Sequence, residues 1–119
     1  MLKIRTTQRK ALSEYTLRQF ENRMVIHLRT NFSEHTKSLS AAELQTTVHL
    51  GVGNAASYRI TAEDDVRRYL EYVAMYGVDF DTNPLCVWAS AILRIPELSG
   101  TEKMDRIDEY DLFGPRGQL

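Results

Sequence analysis

Apolar residues recur at three- and four-residue steps along most of the chain, which is the spacing of one face of an α-helix. Similar stripes lie at about 8–32, 44–56, 66–76, 85–95 and 104–112, and no segment alternates for long enough to predict a strand. The pattern predicts an all-α fold, with a single small domain of about five packed helices over residues 1–119. The first stripe consists of Leu12, Leu17, Phe20, Met24, Leu28 and Phe32.

Two polar pairs between the stripes have the spacing of a capping box. Ser40 precedes Glu43, and Ser99 precedes Glu102. In this motif the hydroxyl and the carboxylate each satisfy a free backbone N–H at the start of a helix. We therefore expect helices to begin after Ser40 and after Ser99.

The middle of the chain carries further start and stop signals. Thr61 is a suitable N-cap, and Gly77 is a suitable left-handed residue at the end of the same helix. Asn83 followed by Pro84 predicts the start of the next helix. Its expected buried side is Leu85, Trp88, Ala91, Ile92 and Ile95.

The two ends of the chain lack a clear packing pattern. Residues 1–7 are expected to be a flexible lead-in. Gly114 and Pro115 are expected to end the last helix and to leave residues 115–119 flexible.

Charge is balanced overall but not along the chain. The net charge is −1, from 15 basic and 16 acidic residues, which gives no general reason to bind nucleic acid or an anionic membrane. Residues 1–29 hold seven basic and two acidic side chains, whereas residues 97–111 hold two basic and six acidic ones. These segments are either solvated helix faces or mutually attracting surfaces.

Compartment signals favour the cytoplasm. Cys86 is the single cysteine, so an internal disulfide is impossible and a reducing compartment is expected. No apolar run approaches the roughly 18–20 residues of a membrane span. The first ten residues have no apolar segment of the secretory type.

Candidate reaction chemistry is sparse. Asp79, Asp81 and Asn83 have the spacing of a calcium loop, but the required final glutamate is replaced by Ser90. A polar loop that caps the next helix explains them better. The Gly51–Ala56 segment loosely matches a dinucleotide fingerprint but lies inside a predicted helix, without the strand that the motif needs.

The three histidines also lack a site pattern. His27, His35 and His49 have no metal-ligand partner at helical spacing. A small enzyme would have to bring one of them to Asp79 and Asp81 in a pocket. We therefore expect no catalytic residue, no metal and no cofactor.

Tyrosine and arginine residues are concentrated between positions 58 and 80. Acidic residues are interleaved with them, which argues against a nucleic-acid groove and favours a protein partner of mixed charge. The residues predicted to contact that partner are Tyr58, Arg59, Arg68, Tyr72, Tyr76 and Phe80.

The same region carries a family resemblance over residues 28–93. Its most specific part is Asp79-Phe80-Asp81, Asn83-Pro84 and Trp88-Ala89, and Tyr58 to Thr61 and Glu63 to Val66 also fit. The segment resembles a group of small bacterial proteins encoded beside type VI secretion genes, near spike-tip proteins, effectors and adaptor chaperones. It departs from that group at Arg59, where the group favours glycine for a tight left-handed turn.

The resemblance implies a non-enzymatic accessory factor. Such a factor would act as a co-chaperone or adaptor for a type VI effector, with the effector or a larger adaptor chaperone as its partner. The alternative is an immunity protein that blocks a toxin through the acidic segment 97–111. A homo-oligomer is compatible with either role.

Overall fold

The computed structural model describes the backbone of residues 2–117 and the side chains of residues 14–112. Within these residues the chain is helical and contains no strand, which confirms the all-α prediction with one more short helix than the expected five. Its elements are α1 (Leu2–Asn31), α2 (Ser33–Thr36), α3 (Ala41–Ser57), α4 (Glu63–Tyr76), a 3₁₀ turn (Pro84–Cys86), α5 (Val87–Leu93) and α6 (Gly100–Gly117).

The core lies where α1, α3, α4 and α6 meet. The predicted helical stripes supply most of it, because residues three and four apart share one helix face. Gly51 allows α3 to approach α4 closely: a Cβ on Gly51 would lie 2.6 Å from Leu70 Cδ2. The fully buried members of the core include Leu28, Leu44, Val48, Ala55, Tyr69, Leu70, Phe80, Leu93, Met104 and Ile107.

Both predicted capping boxes are present. The Ser40 hydroxyl accepts from Glu43 N at 3.1 Å, and the Glu43 carboxylate accepts from Ser40 N at 2.8 Å. Ser99 and Glu102 make the same pair of bonds at 3.1 and 2.9 Å. Thr61, in contrast, does not cap α4.

The structure places the N-cap of α4 at Ala62, one residue later than predicted, without a side-chain cap. Glu63, Asp64 and Asp65 occupy the first turn. Their carboxylates favour the positive end of the helix dipole, so a capping hydroxyl is less necessary here.

The outer helices are longer than expected. Helix α1 begins at Leu2 and not near Gln8, because residues 2–7 contain neither glycine nor proline to stop it. Helix α6 continues through Gly114 and Pro115 to Gly117, so this pair does not end the helix. The predicted flexibility of residues 1–7 and 115–119 stays a prediction.

The buried side of α5 differs from the prediction. Leu85 is 86% exposed and Ala91 is also exposed, whereas Cys86, Ala89 and Leu93 are buried. The 3₁₀ turn before α5 explains the change. Three residues per turn, where an α-helix has 3.6, rotate the following side chains relative to a continuous α-helix.

The first part of α1 lies outside the packed region. Side chains 14–19 are exposed on every face of the helix, and Phe20 is the first buried one among those described. Arg23 contacts Glu63 and His27 contacts Glu71, so α1 and α4 run in the same direction. The N-terminal part of α1, residues 2–19, therefore lies at the end of the molecule opposite the C-terminal end of α4. We call it the α1 arm.

Candidate functional site

Arg68 on α4 is the centre of a charge network that reaches α6. Its side chain is 15% exposed. Its guanidinium donates to Asp65 at 3.1 Å, to Asp105 at 2.7 Å and to Asp108 at 2.9 and 3.0 Å. Burial alone would lower the pKa of Arg68, but the hydrogen bonds to Asp105 and Asp108 outweigh it and raise that pKa above its ordinary value.

Two neutral side chains complete this network. The Tyr72 hydroxyl donates to Asp108 at 2.8 Å, and the Thr101 hydroxyl donates to Asp65 at 2.5 Å. The Asp65 side chain is only 7% exposed, so it needs both Arg68 and Thr101 as partners. The network joins α4 to α6 at several points along both helices.

An aromatic cluster lies beside the network. The Phe80 ring is fully buried and lies 4.9 Å from Tyr69, edge to face, and 5.8 Å from Tyr72. Tyr72 in turn stacks on Tyr76, with ring centroids 6.4 Å apart and planes 6° from parallel. These contacts extend from the core at Phe80 to the surface at Tyr76, which is 41% exposed.

The acidic loop before α5 has structural partners. The Tyr58 hydroxyl donates to Asp81 at 2.7 Å, and burial together with that carboxylate raises the pKa of Tyr58 to about 12. Asn83 accepts from Leu85 N at 2.9 Å and caps the 3₁₀ turn, as predicted. Asp81 bonds a tyrosine hydroxyl 23 residues away, a partner that the local loop pattern does not reveal.

The turn between α3 and α4 is left-handed at Arg59, with a φ of 66°. Arg59 N donates to Ala56 O at 2.9 Å, and Ile60 N donates to Ala55 O at 2.9 Å. This is the Schellman pattern, with Ile60 and Ala55 both fully buried. The tight turn that glycine favours is therefore formed here with arginine, at a cost of roughly 1–2 kcal/mol.

Helix α6 begins directly against this turn. A Cβ on Gly100 would lie 2.6 Å from Arg59 O, so only glycine fits without a shift. One turn later, buried Lys103 donates from Nζ to Tyr58 O at 2.7 Å. A cation at the C-terminal end of α3 compensates the helix dipole there. Burial, and then the charge of Arg59, lowers the pKa of Lys103.

Four of the six residues predicted to contact a partner are parts of the scaffold. Phe80 is fully buried and Tyr72 is 5% exposed, which places both in the core of the chain, and their role in binding a partner stays a prediction. They fill the space between α4, α6 and the acidic loop. Arg68 and half-buried Tyr58 donate hydrogen bonds to carboxylates within the chain.

The remaining two predicted residues, Arg59 and Tyr76, are exposed. Their role in binding a partner stays a prediction. Burial, followed by the charge of Asp111, raises the pKa of the Tyr76 hydroxyl.

Next to Tyr76 lies a cleft between the C-terminal parts of α4 and α6, with a volume of about 280 Å³. We call it the α4–α6 cleft. Sequence reasoning missed this site. The acidic residues three apart on α6 are visible in the sequence, but the apolar pattern assigns Leu112 to the stripe 104–112, whereas the structure leaves it 57% exposed. Its lining residues are Glu71, Tyr72, Met75, Asp108, Asp111 and Leu112.

Two of the three histidines contact acids outside the acidic loop. His27 contacts Glu71 at 2.7 Å, and His49 contacts Glu21 at 3.0 Å. Over side chains 14–112, no group of three or more histidine, cysteine, aspartate or glutamate residues has a metal-binding arrangement. Among the described helices, none has both the length and the apolarity required to cross a bilayer.

Comparison of the chain with models of protein families, with curated proteins and with solved structures finds no match.

Proposed function

We propose that this protein is a non-enzymatic, protein-binding accessory factor, a co-chaperone or adaptor for a type VI secretion effector, and that it holds its partner at the α4–α6 cleft. The observation that carries the proposal is the exposed apolar pair of Tyr76 and Leu112, 41% and 57% exposed, beside the carboxylates of the cleft. The sequence resemblance over residues 28–93 supplies the secretion context.

The chemistry of the cleft indicates the kind of segment it binds. Tyr76 and Leu112 offer an apolar anchor, and tyrosine is common among residues that dominate binding energy. Asp111 at the rim favours a cationic neighbour on the partner. The partner segment therefore carries an apolar side chain next to lysine or arginine.

The scaffold beneath the cleft supports this role. Tyr72 stacks under Tyr76 and is itself held by Asp108, which bonds Arg68. Side chains that are already fixed lose little conformational entropy on binding. A cytoplasmic location, where an effector is folded and loaded before delivery, belongs to the same proposal.

Co-expression with a type VI effector from the native host tests the proposal. The wild-type chain should raise the soluble fraction of the effector and co-purify with it. Tyr76→Ala combined with Leu112→Ala should lose both effects. Ile26→Ala combined with Leu50→Ala removes two apolar side chains of similar exposure elsewhere, and should keep both.

Two results would contradict this function. One is an effector that is equally soluble without the chain and does not co-purify with it. The other is an equal loss of effector solubility and co-purification in both double variants, since that would show no special role for the cleft. Circular dichroism of each variant confirms that it is folded.

The second candidate is an immunity protein, and the exposed acids of the segment 97–111 favour it. Arg68 already neutralises Asp105 and Asp108, and Glu102 caps α6, so Glu97, Glu109 and Asp111 are the acids left for a toxin. Rescue of toxin-producing cells, without a change in effector solubility, would support this candidate against the adaptor.

A further inference from the structure

Positive and negative charge are concentrated in different parts of the chain. Residues 1–30 contain seven basic and two acidic side chains, and residues 60–112 contain five basic and twelve acidic ones. The first set belongs to α1, and the second covers α4, α5 and much of α6. A net charge of −1 hides this separation.

The α1 arm concentrates the positive charge. Residues 1–13 include Lys3, Arg5, Arg9 and Lys10 and no acidic residue. A helix of the arm's length extends about 27 Å at 1.5 Å per residue. Its described side chains 14–19 are all exposed, and among them Arg18 lines an open cleft between α1 and α3.

The α4–α6 cleft has the complementary character. Glu71 is partly satisfied by His27 and Arg67, and Asp108 by Arg68 and Tyr72. Asp111 and its neighbour Glu109 are exposed at the end of α6. Exposed Tyr76 and Leu112 add apolar surface beside these charges.

Within one molecule the arm cannot reach this cleft. The contacts of Arg23 with Glu63 and of His27 with Glu71 make α1 and α4 run in the same direction. The arm extends beyond the N-terminal end of α4, while the cleft lies at its C-terminal end. A second copy, placed antiparallel beside the first, brings each arm next to the cleft of the other.

We propose that the chain forms a reciprocal two-fold dimer in which the α1 arm of each copy binds the α4–α6 cleft of the other. Closed two-fold pairing is the commonest symmetry of soluble oligomers. The inference goes beyond the proposed function and does not rest on it. Because both use the same cleft, a protein partner that binds there competes with the arm.

Sedimentation velocity of the full chain tests the dimer. The wild type should sediment as a dimer at 50 mM NaCl. Its dissociation constant should rise about ten-fold or more at 500 mM NaCl, because salt screens the charge pairs. The arm variant Arg9→Glu/Lys10→Glu and the cleft variant Glu109→Lys/Asp111→Lys should each be monomeric at 50 mM.

Mixing the two variants gives the decisive result. In a mixed pair the acidic arm of one chain faces the basic cleft of the other, and the second contact keeps its wild-type charges. An equimolar mixture should therefore form a heterodimer, although neither variant forms a homodimer. Lys37→Glu, an exposed charge reversal away from both surfaces, should leave the dimer unchanged.

Three results would overturn the proposal: a monomeric wild type at 50 mM NaCl, dimers that persist in both charge-reversed variants, or a mixture that stays monomeric. Circular dichroism of each variant shows whether it is folded. The effector assay above does not use these variants, so failure of the dimer and failure of the adaptor function are distinguishable.

Discussion

The contact between α4 and α6 and the contact between α1 and α3 are built from different chemistry. Between α4 and α6, Arg68 joins three carboxylates, one of which has a side chain only 7% exposed. Between α1 and α3 the buried residues are apolar, and the polar link is the pair of Glu21 and His49, whose side chains are 17% and 70% exposed.

This difference predicts different responses to mutation. An apolar contact loses stability in proportion to the surface and volume removed. A buried charge network loses much more when one member is removed, because the remaining charges are left without partners. The α4–α6 contact is therefore the less tolerant of the two, and the cleft that we propose as a binding surface lies directly on it.

The largest expected effect is that of Arg68→Met. It leaves the buried charge of Asp65 with only the neutral Thr101 hydroxyl as a partner and should lower the free energy of unfolding by about 2–4 kcal/mol. The neighbouring change Arg67→Met removes an arginine bound to exposed Asp64 and to partly buried Glu71, which keeps His27 as a partner. It should cost about 1 kcal/mol or less. Urea unfolding of both variants measures the difference, and equal losses would contradict the network's importance.

Next in size is Gly100→Ala, where the new Cβ would meet Arg59 O at 2.6 Å. The start of α6 must then move away from the turn, at a cost of about 1–3 kcal/mol. Gly53→Ala is the matched change, since nothing lies within 4 Å of a Cβ there. It should stabilise α3 by about 0.5–1 kcal/mol. Thermal unfolding followed by circular dichroism should shift in opposite directions for the two.

Two tyrosines on α4 give a smaller and sharper comparison. Tyr72→Phe removes the hydrogen bond to Asp108 and should cost about 1–2 kcal/mol. The Tyr69 hydroxyl is buried without a hydrogen-bond partner among the described residues, so Tyr69→Phe should be neutral or stabilising by about 1 kcal/mol. Urea unfolding measures both losses. A larger loss of unfolding free energy for Tyr69→Phe than for Tyr72→Phe would contradict this assignment of the two hydroxyls.

The smallest effect concerns the left-handed turn. Arg59→Gly removes the steric cost of an arginine at a φ of 66° and should raise the free energy of unfolding by about 0.5–1 kcal/mol. Arg59→Ala keeps a Cβ at the same position and should show no such gain. If Arg59→Ala raises the free energy of unfolding as much as Arg59→Gly does, the gain comes from removing the arginine side chain and not from relieving the backbone.

Much of the fold could be predicted from the sequence because its signals are local. Capping boxes at Ser40 and Ser99 and apolar stripes on α3 and α4 depend on residues three or four apart. The register of α5 could not be predicted in this way. It depends on a 3₁₀ turn at Pro84, which changes the number of residues per turn and exposes Leu85.

The site was predictable only in part, for a related reason. A segment rich in tyrosine and arginine can form either a binding surface or a buried network, and its composition does not distinguish the two. The partners that bury Tyr72 and Arg68 lie 36–40 residues away on α6, in contacts that no local pattern reveals. Tyr76, one turn after Tyr72, is exposed because it lies at the end of α4.

A double-mutant cycle tests most directly whether Arg68 and Asp108 form the structural centre of the α4–α6 contact. Arg68→Met, Asp108→Asn and the double variant are compared in urea unfolding with Glu21→Gln, His49→Gln and their double variant. We expect a coupling energy of about 1.5 kcal/mol or more for the first pair and below about 0.5 kcal/mol for the second. Equal coupling in the two cycles would contradict the account.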